Sequence, residues 1–347
     1  MIQAANRRRA YAALAAVAGL LASACGGGDA GDATIRPADP TGGGEAPAVV
    51  ATPAVPTGPP LSYVRATDKV RVRVDMERVR ASRVSRDLTS LIRSYPSWQE
   101  LLGASGIDPV EDFDRVILLA PSVVSTTSVL YVRHHLSEDD VRSAVLRMAT
   151  DRGTPPAWRE ERGFPVVAWP AETEVPRHVV LTGPGELVVG VEADLPRLLD
   201  VAEDHRLRRT GGDEALEPAL ALPEGAMVTL VVEEVPEEQR AQVPHSPTSL
   251  DVVVRADLEQ AERYLLDAVG SYPDEESAEA ARAYLEEQRD RVVGQALVRA
   301  IGLDRPLRQA TVSADGERLE LHADFTDEEL ERMLGVVALG NFNLGGG

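Results

Sequence analysis

From Leu61 onward two hydrophobic periods alternate, and that alternation limits what the chain can fold into. Val70 to Val74 reads VRVRV. Period two puts the valines on one side of a strand and Arg71 and Arg73 on the other, so one face is apolar and one is wet. Leu88, Leu91, Ile92, Tyr95, Trp98 and Leu102 then recur at helical spacing, which predicts a helix over 86–102. Strands over 116–120 and 129–133 and a helix over 138–150 follow. FPVVAW, HVVLT and ELVVGV read as a meander that turns at Gly183, Pro184 and Gly185, and a short helix over 195–202 closes the half. Beyond a loose joint, strands are predicted over 228–232 and 250–254, and helices over 258–269 and 275–301. A hairpin of strands 310–314 and 319–323 turns at Asp315 and Gly316, before a last helix over 327–337.

The expected fold class is α+β: two related lobes, 61–205 and 222–340, linked by a joint at 206–221 and trailed by 341–347. Each lobe is expected to be an antiparallel-rich sheet with helices on one face, because VRVRV and LELHA leave a solvated side. The order strand, helix, strand, strand, helix resembles a ferredoxin-like split βαβ unit. An internal repeat is suggested by LYVRHHLSEDDV at 130–141 and LELHADFTDEEL at 319–330. In both, a strand runs into a hydroxyl N-cap, Ser137 or Thr326, followed by acids.

Composition sets limits on function. The formal charge is −20, with aromatic content of 4%. That acidity excludes binding along a nucleic-acid phosphate backbone, which needs a cationic footprint. Cys25 is the only cysteine, so the folded body has no disulfide. Lys69 is the only lysine, which removes phosphate-loop and Ser-x-x-Lys chemistry. GASG at 103–106 lacks the spacing of a nucleophile elbow, and GPG at 183–185 lies between apolar strands as a turn.

The remaining chemistry-bearing residues have structural readings. His134 and His135 are adjacent on a strand and point to opposite faces, a poor geometry for one metal ion. His322 and Asp324 share a face but supply two ligands only. DPVEDFD at 108–114 lacks the glycine and ligand ladder of a calcium loop. It reads as Asp108 capping a turn, Pro109 at its first position and Glu111 completing a capping box. Asp75, Asp194 and Asp257 each follow a strand and are expected to cap helices. No catalytic, cofactor-binding or metal residue is assigned. The rival readings are a carboxylate hydrolase using Asp112 or Asp114, and a small-ligand binder with a cleft near 205–221.

Ahead of the body, residues 26–60 are rich in Gly, Ala, Pro and Thr without a period. As a flexible linker they span on the order of 30 Å. Residues 1–25 read MIQAANRRRAYAALAAVAGLLASAC: a cationic start at Arg7, Arg8 and Arg9, an apolar run from Tyr11 to Leu21, and small residues leading to Cys25. This resembles a bacterial lipoprotein signal, with Ala22 where that family usually carries Leu. Arg8, Arg9, Ala10 and Tyr11 also echo the twin-arginine export signal. The lipoprotein resemblance implies that 1–24 is removed and that Cys25 is lipidated, palmitate included, tying the chain to a membrane. Gly26, in place of an Asp, implies the outer membrane where the source has two. The function expected is a non-catalytic, membrane-anchored envelope protein that binds an unknown protein or small molecule, or plays a structural part.

Overall fold

The structure is a computed structural model that describes residues 61–83, 105–122, 127–151, 157–169, 175–210, 221–241, 243–257, 263–300 and 302–333, with isolated positions between them. Twelve strands form one sheet: β1 Val70–Asp75, β2 Phe113–Ala120, β3 Val129–His134, β4 Arg159–Glu161, β5 Phe164–Trp169, β6 Arg177–Gly183, β7 Glu186–Val191, β8 Ala226–Val232, β9 Ser249–Ala256, β10 Arg263–Ser271, β11 Thr311–Asp315 and β12 Arg318–Thr326. The helices are α1 Met76–Ala81, α2 Pro109–Asp112, α3 Glu138–Asp151, α4 Leu195–Thr210, α5 Glu237–Arg240, α6 Glu275–Val293, α7 Ala296–Ala300 and α8 Asp304–Gln309. A helical segment at 327–333 follows β12. The fold is α+β with a large antiparallel sheet, in the order β11-β12-β10-β9-β8-β1-β2-β3-β7-β6-β5-β4.

The halves expected as two lobes are joined in this sheet. β1 and β8 pair antiparallel, Val72 opposite Leu230, so the seam is an unbroken ladder. Outward from the seam the order is β1-β2-β3-β7-β6 on one side and β8-β9-β10-β12-β11 on the other. The halves therefore share a topology, but not in the register suggested by LYVRHHLSEDDV and LELHADFTDEEL. Those segments lie on β3 and β12, whereas the shared order makes β3 the counterpart of β10 and β7 the counterpart of β12. What the two segments have in common is the capping of a strand-to-helix turn. The Asp140 N–H donates to Ser137 Oγ at 3.2 Å. At the second junction Glu329 N–H donates to Thr326 Oγ1 at 3.3 Å, and Thr326 N–H donates back to Glu329 Oε2 at 2.9 Å.

A split βαβ arrangement is present in the second half, where β12 lies between β10 and β11 after α6 crosses over. In the first half β1 pairs directly with β2, and the strands separated by a helix are β3 and β4, with β7, β6 and β5 between them. The predicted helix over 258–269 is replaced by strand β10 from Arg263 onward. Local helix-forming residues there yield to ladders on both sides, with Leu266 opposite Ala323 of β12 and Val254 of β9. The Asp257 N–H donates to the Arg263 carbonyl at 2.8 Å, and residues 258–262, the start of the helix expected there, lie outside the described residues. The joint expected from 206 is still helix to Thr210, while 211–220, most of 86–102, and residues 1–60 lie outside the described residues.

Strand register sorts side chains onto two faces. The front face carries Val70, Val72 and Val74; the back face carries Arg71 and Arg73. On the front, Val141, Val145 and Met148 of α3 pack with Val116, Val132, Val179 and Leu187. Ala278 and Ala281 of α6 pack with Leu319 and Tyr272 farther along the sheet. The first half is covered on the back as well, contrary to the expectation of one solvated face. Leu198 and Val201 of α4 pack with Ile117, Leu119, Tyr131 and Val188. Phe164, Val166 and Val180 meet Leu195, Leu199 and Ala202. β6 and β7 explain this: HVVL and LVVGV are apolar on both sides and cannot leave either in water. Gly190 permits the approach, since a Cβ there would stand 2.5 Å from Leu198 Cδ1.

Candidate functional site

One register row crosses the whole back face: Thr311, His322, Asp267, Val253, Thr229, Arg73, Ile117, Tyr131, Val188, Val180 and Val166. From Ile117 to Val166 it is apolar and lies under α4. From Thr311 to Arg73 it is mixed, and among the described residues no helix packs on it. Val231, Val253, Leu265 and Val269 are only half-buried there.

The charges on this open stretch and at its border on β2 and β3 fall into two groups. In the first, each cation has a carboxylate. Arg71 pairs with Glu233. Asp267 receives Arg255 and, at 2.7 Å, His322 Nδ1. Burial pulls the Asp267 carboxyl upward, but His322 and Arg255 outweigh it and hold it below the usual aspartate range.

In the second group, Arg73, Arg115 and Arg133 on β1, β2 and β3 make no ion pair or hydrogen bond among the described residues. Arg115 and Arg133 are direct cross-strand partners. Arg73 lies on the diagonal from Arg115, because Asp75 is the residue opposite it. Nearby carboxylates are taken: Asp75 by Arg78 at 3.2 Å, and Glu186 by Arg209 at 2.7 Å and by the Tyr131 hydroxyl. The Nε atoms of Arg73 and Arg115 are buried without a partner, as is the hydroxyl of Thr229, which is 2% exposed and opposite Arg73. Burial, followed by the neighbouring Arg71, lowers the Arg73 guanidinium from its ordinary value.

The residues singled out in the sequence fall elsewhere. Asp75 caps α1, accepting from Arg78 N–H at 3.0 Å. Asp108 caps α2, accepting from Val110 N–H at 3.1 Å, but Asp112 rather than Glu111 receives the Asp108 N–H, at 2.7 Å. Asp194 pairs with Arg65 at 2.6 Å instead of capping α4. His134 is buried, and burial lowers its pKa, while His135 is exposed and 3.4 Å from Asp114, which also binds Arg80 at 2.9 Å. Asp112 and Asp114, the carboxylates of the hydrolase reading, are thus each engaged in holding local structure. His322 turns to Asp267, and Asp324 to Arg263. Among the described residues no cluster of three metal-ligating side chains occurs, and no helix is long and apolar enough to cross a membrane. An open depression of 460 Å³ near Arg240, His245, Tyr272 and Asp274 shares no lining residue with the group of Arg73, Arg115 and Arg133.

The arginine group could not be found in the sequence by spacing. Its members come from three strands, and only register brings them together. The usable signal was the alternation VRVRV, which places Arg71 and Arg73 on one face.

No family model and no curated protein matches the chain. A solved structure described as "Structure of crystal form I of TP0453" aligns with 82% of this chain and 98% of that one, at 12% identity and a TM-score of 0.42.

Proposed function

We propose that the protein is a lipid-anchored component of a bacterial envelope whose body binds a partner and performs no catalysis of its own. Cys25 holds the membrane, the 26–60 linker supplies reach, and the sheet provides the binding surface. The observation that carries this reading is the back face of the second half, where half-buried Val231, Val253, Leu265 and Val269 sit among charges and, among the described residues, under no helix. A partner covering them would bury apolar area worth about 25 cal/mol per Å². The lipid chains on a mature cysteine give the two or more anchoring signals that stable attachment needs.

Membrane fractionation and the mass of the mature N-terminal peptide test the anchor. Wild-type protein is expected in the membrane fraction, resisting salt and high pH, with Cys25 acylated. Cys25→Ser is expected to leave an uncleaved precursor or a differently processed product. Soluble wild-type protein carrying a free Cys25 thiol would overturn the proposal.

A further inference from the structure

We infer that Arg73, Arg115 and Arg133, with the hydroxyl of Thr229, form a binding site for a phosphate-type oxyanion. This names a ligand chemistry for a patch on β1, β2 and β3 that borders, through Thr229 of β8, the face used in the proposed function, and it rests on that reading.

Like charges directly opposite each other on a sheet destabilise it, and Arg115 faces Arg133. In a chain of charge −20, carboxylates are plentiful, and most other arginines on this sheet face have one. These three make no ion pair among the described residues, although Asp75 stands opposite Arg115 and Glu186 opposite Arg133, because those carboxylates turn to Arg78 and to Arg209. Directly opposed Cβ atoms are about 5 Å apart and diagonal ones about 7–8 Å, so three guanidinium groups on long side chains can reach a common point above the sheet. Each presents a planar fork of donors suited to an oxyanion. Thr229 adds a hydroxyl that is buried and unpartnered beside Arg73. Three cations exceed what one carboxylate needs but suit a phosphate group, with its several exposed oxygens. A long polyanion would meet the repulsion of the whole chain. A single phosphate group meets mainly the local field, because salt screens charges beyond about 8 Å at physiological strength.

The chain also enters the body on this side of the sheet. The Leu61 N–H donates to Asp204 of α4 at 2.9 Å, and its carbonyl faces His205 at 2.8 Å. The phosphate could therefore belong to a soluble phosphomonoester or to a lipid headgroup near the anchor.

The test is titration calorimetry of the full chain with inorganic phosphate and glycerol phosphate. It is paired with flotation of the full-chain Cys25→Ser variant on phosphatidylcholine vesicles with and without phosphatidylglycerol. Saturable binding is expected, weakened at least tenfold by Arg73→Gln, Arg115→Gln or Arg133→Gln alone and abolished by the triple change. Arg142→Gln, which removes an ion-paired arginine of α3 on the front face, should leave it unchanged. The thermal midpoint of Arg133→Gln should match or exceed wild type, which separates a binding role from a structural one. Binding of glycerol phosphate alone assigns a soluble ligand, and binding of anionic vesicles alone assigns a headgroup. No saturable binding to any probe, or equal weakening by Arg142→Gln, overturns the inference. Fractionation of Cys25 is unaffected by these changes, so failure here leaves the anchor to be judged separately.

Discussion

Leu198 and Gly190 offer a quantitative test of how α4 closes the back of the sheet. Leu198 is fully buried, among Ile117, Leu119, Val129, Tyr131 and Val188. Leu198→Ala removes packed methyl groups and leaves a cavity, a loss of about 2–5 kcal/mol. Gly190→Ala alone introduces a Cβ 2.5 Å from Leu198 Cδ1 and 3.7 Å from its Cγ. Carbon atoms prefer about 3.5–4.0 Å, so the buried Leu198 side chain must change rotamer or the helix must shift, at about 1–3 kcal/mol. In the double variant those Leu198 atoms are gone, and the nearest remaining neighbour of the new methyl is Val129 Cγ2, at an ordinary 3.9 Å. The added methyl then fills part of the cavity, and the double variant should be more stable than the sum of the singles by about 1–3 kcal/mol. Urea denaturation followed by circular dichroism measures all four corners of the cycle. Additivity within about 0.5 kcal/mol would refute the packing of Leu198 against Gly190.

Three further outcomes follow from local chemistry. Thr326→Ala should cost about 1 kcal/mol in denaturant melts, because it removes the acceptor for the Glu329 N–H. Burial holds His134 and His178 below the ordinary value of 6.5, so the unfolded chain binds protons there that the folded one does not. Stability should therefore fall as pH drops below about 6.5, by up to about 1.4 kcal/mol per pH unit for each histidine until its folded pKa is reached. Melts of a His134→Gln/His178→Gln double variant should lose that slope. Burial raises the Asp204 carboxyl, but Arg208 and the Leu61 N–H outweigh it and leave it below its ordinary value. Its contribution is present above about pH 4 and is lost as pH falls through the folded pKa. Asp204→Ala should cost about 2 kcal/mol at pH 7 and speed proteolysis near Leu61, which limited digestion would reveal.

Signals carried within one element were legible in the sequence. VRVRV forecast a strand with a wet face, and Arg71 and Arg73 do lie on the less covered side. Asp315 and Gly316 forecast the β11–β12 hairpin, where Gly316 takes a φ of 55°. Asp75 and Asp108 were identified as caps from their position between a strand and a helix, or ahead of a proline. Signals that depend on distant neighbours were not legible. RYLLDAV has the local character of a helix and becomes a strand only because β9 and β12 offer ladders on both sides. Asp194 stands at a helix start but turns away because Arg65, far off in the chain, lies beside it. The Arg73, Arg115 and Arg133 group depends on the pairing of β1 with β2 and of β2 with β3. No one-dimensional spacing encodes such a group.

The seam between β1 and β8 also governs the order in which the chain can fold. Among the described residues β1 is the first strand made, and it ends up in the middle of the sheet. β2 and β3 can join it early, but its other edge has no partner until β8 arrives, on the far side of all seven strands of the first half. Pairings of such long sequence separation form slowly. Until then, the outer edge of β1 presents free backbone donors and acceptors beside Val70, Val72 and Val74, the kind of exposed strand that recruits other chains. A chain emerging N-terminus first carries that open edge for the longest time. Slowing its release after β7 should raise aggregation more than slowing it after β8.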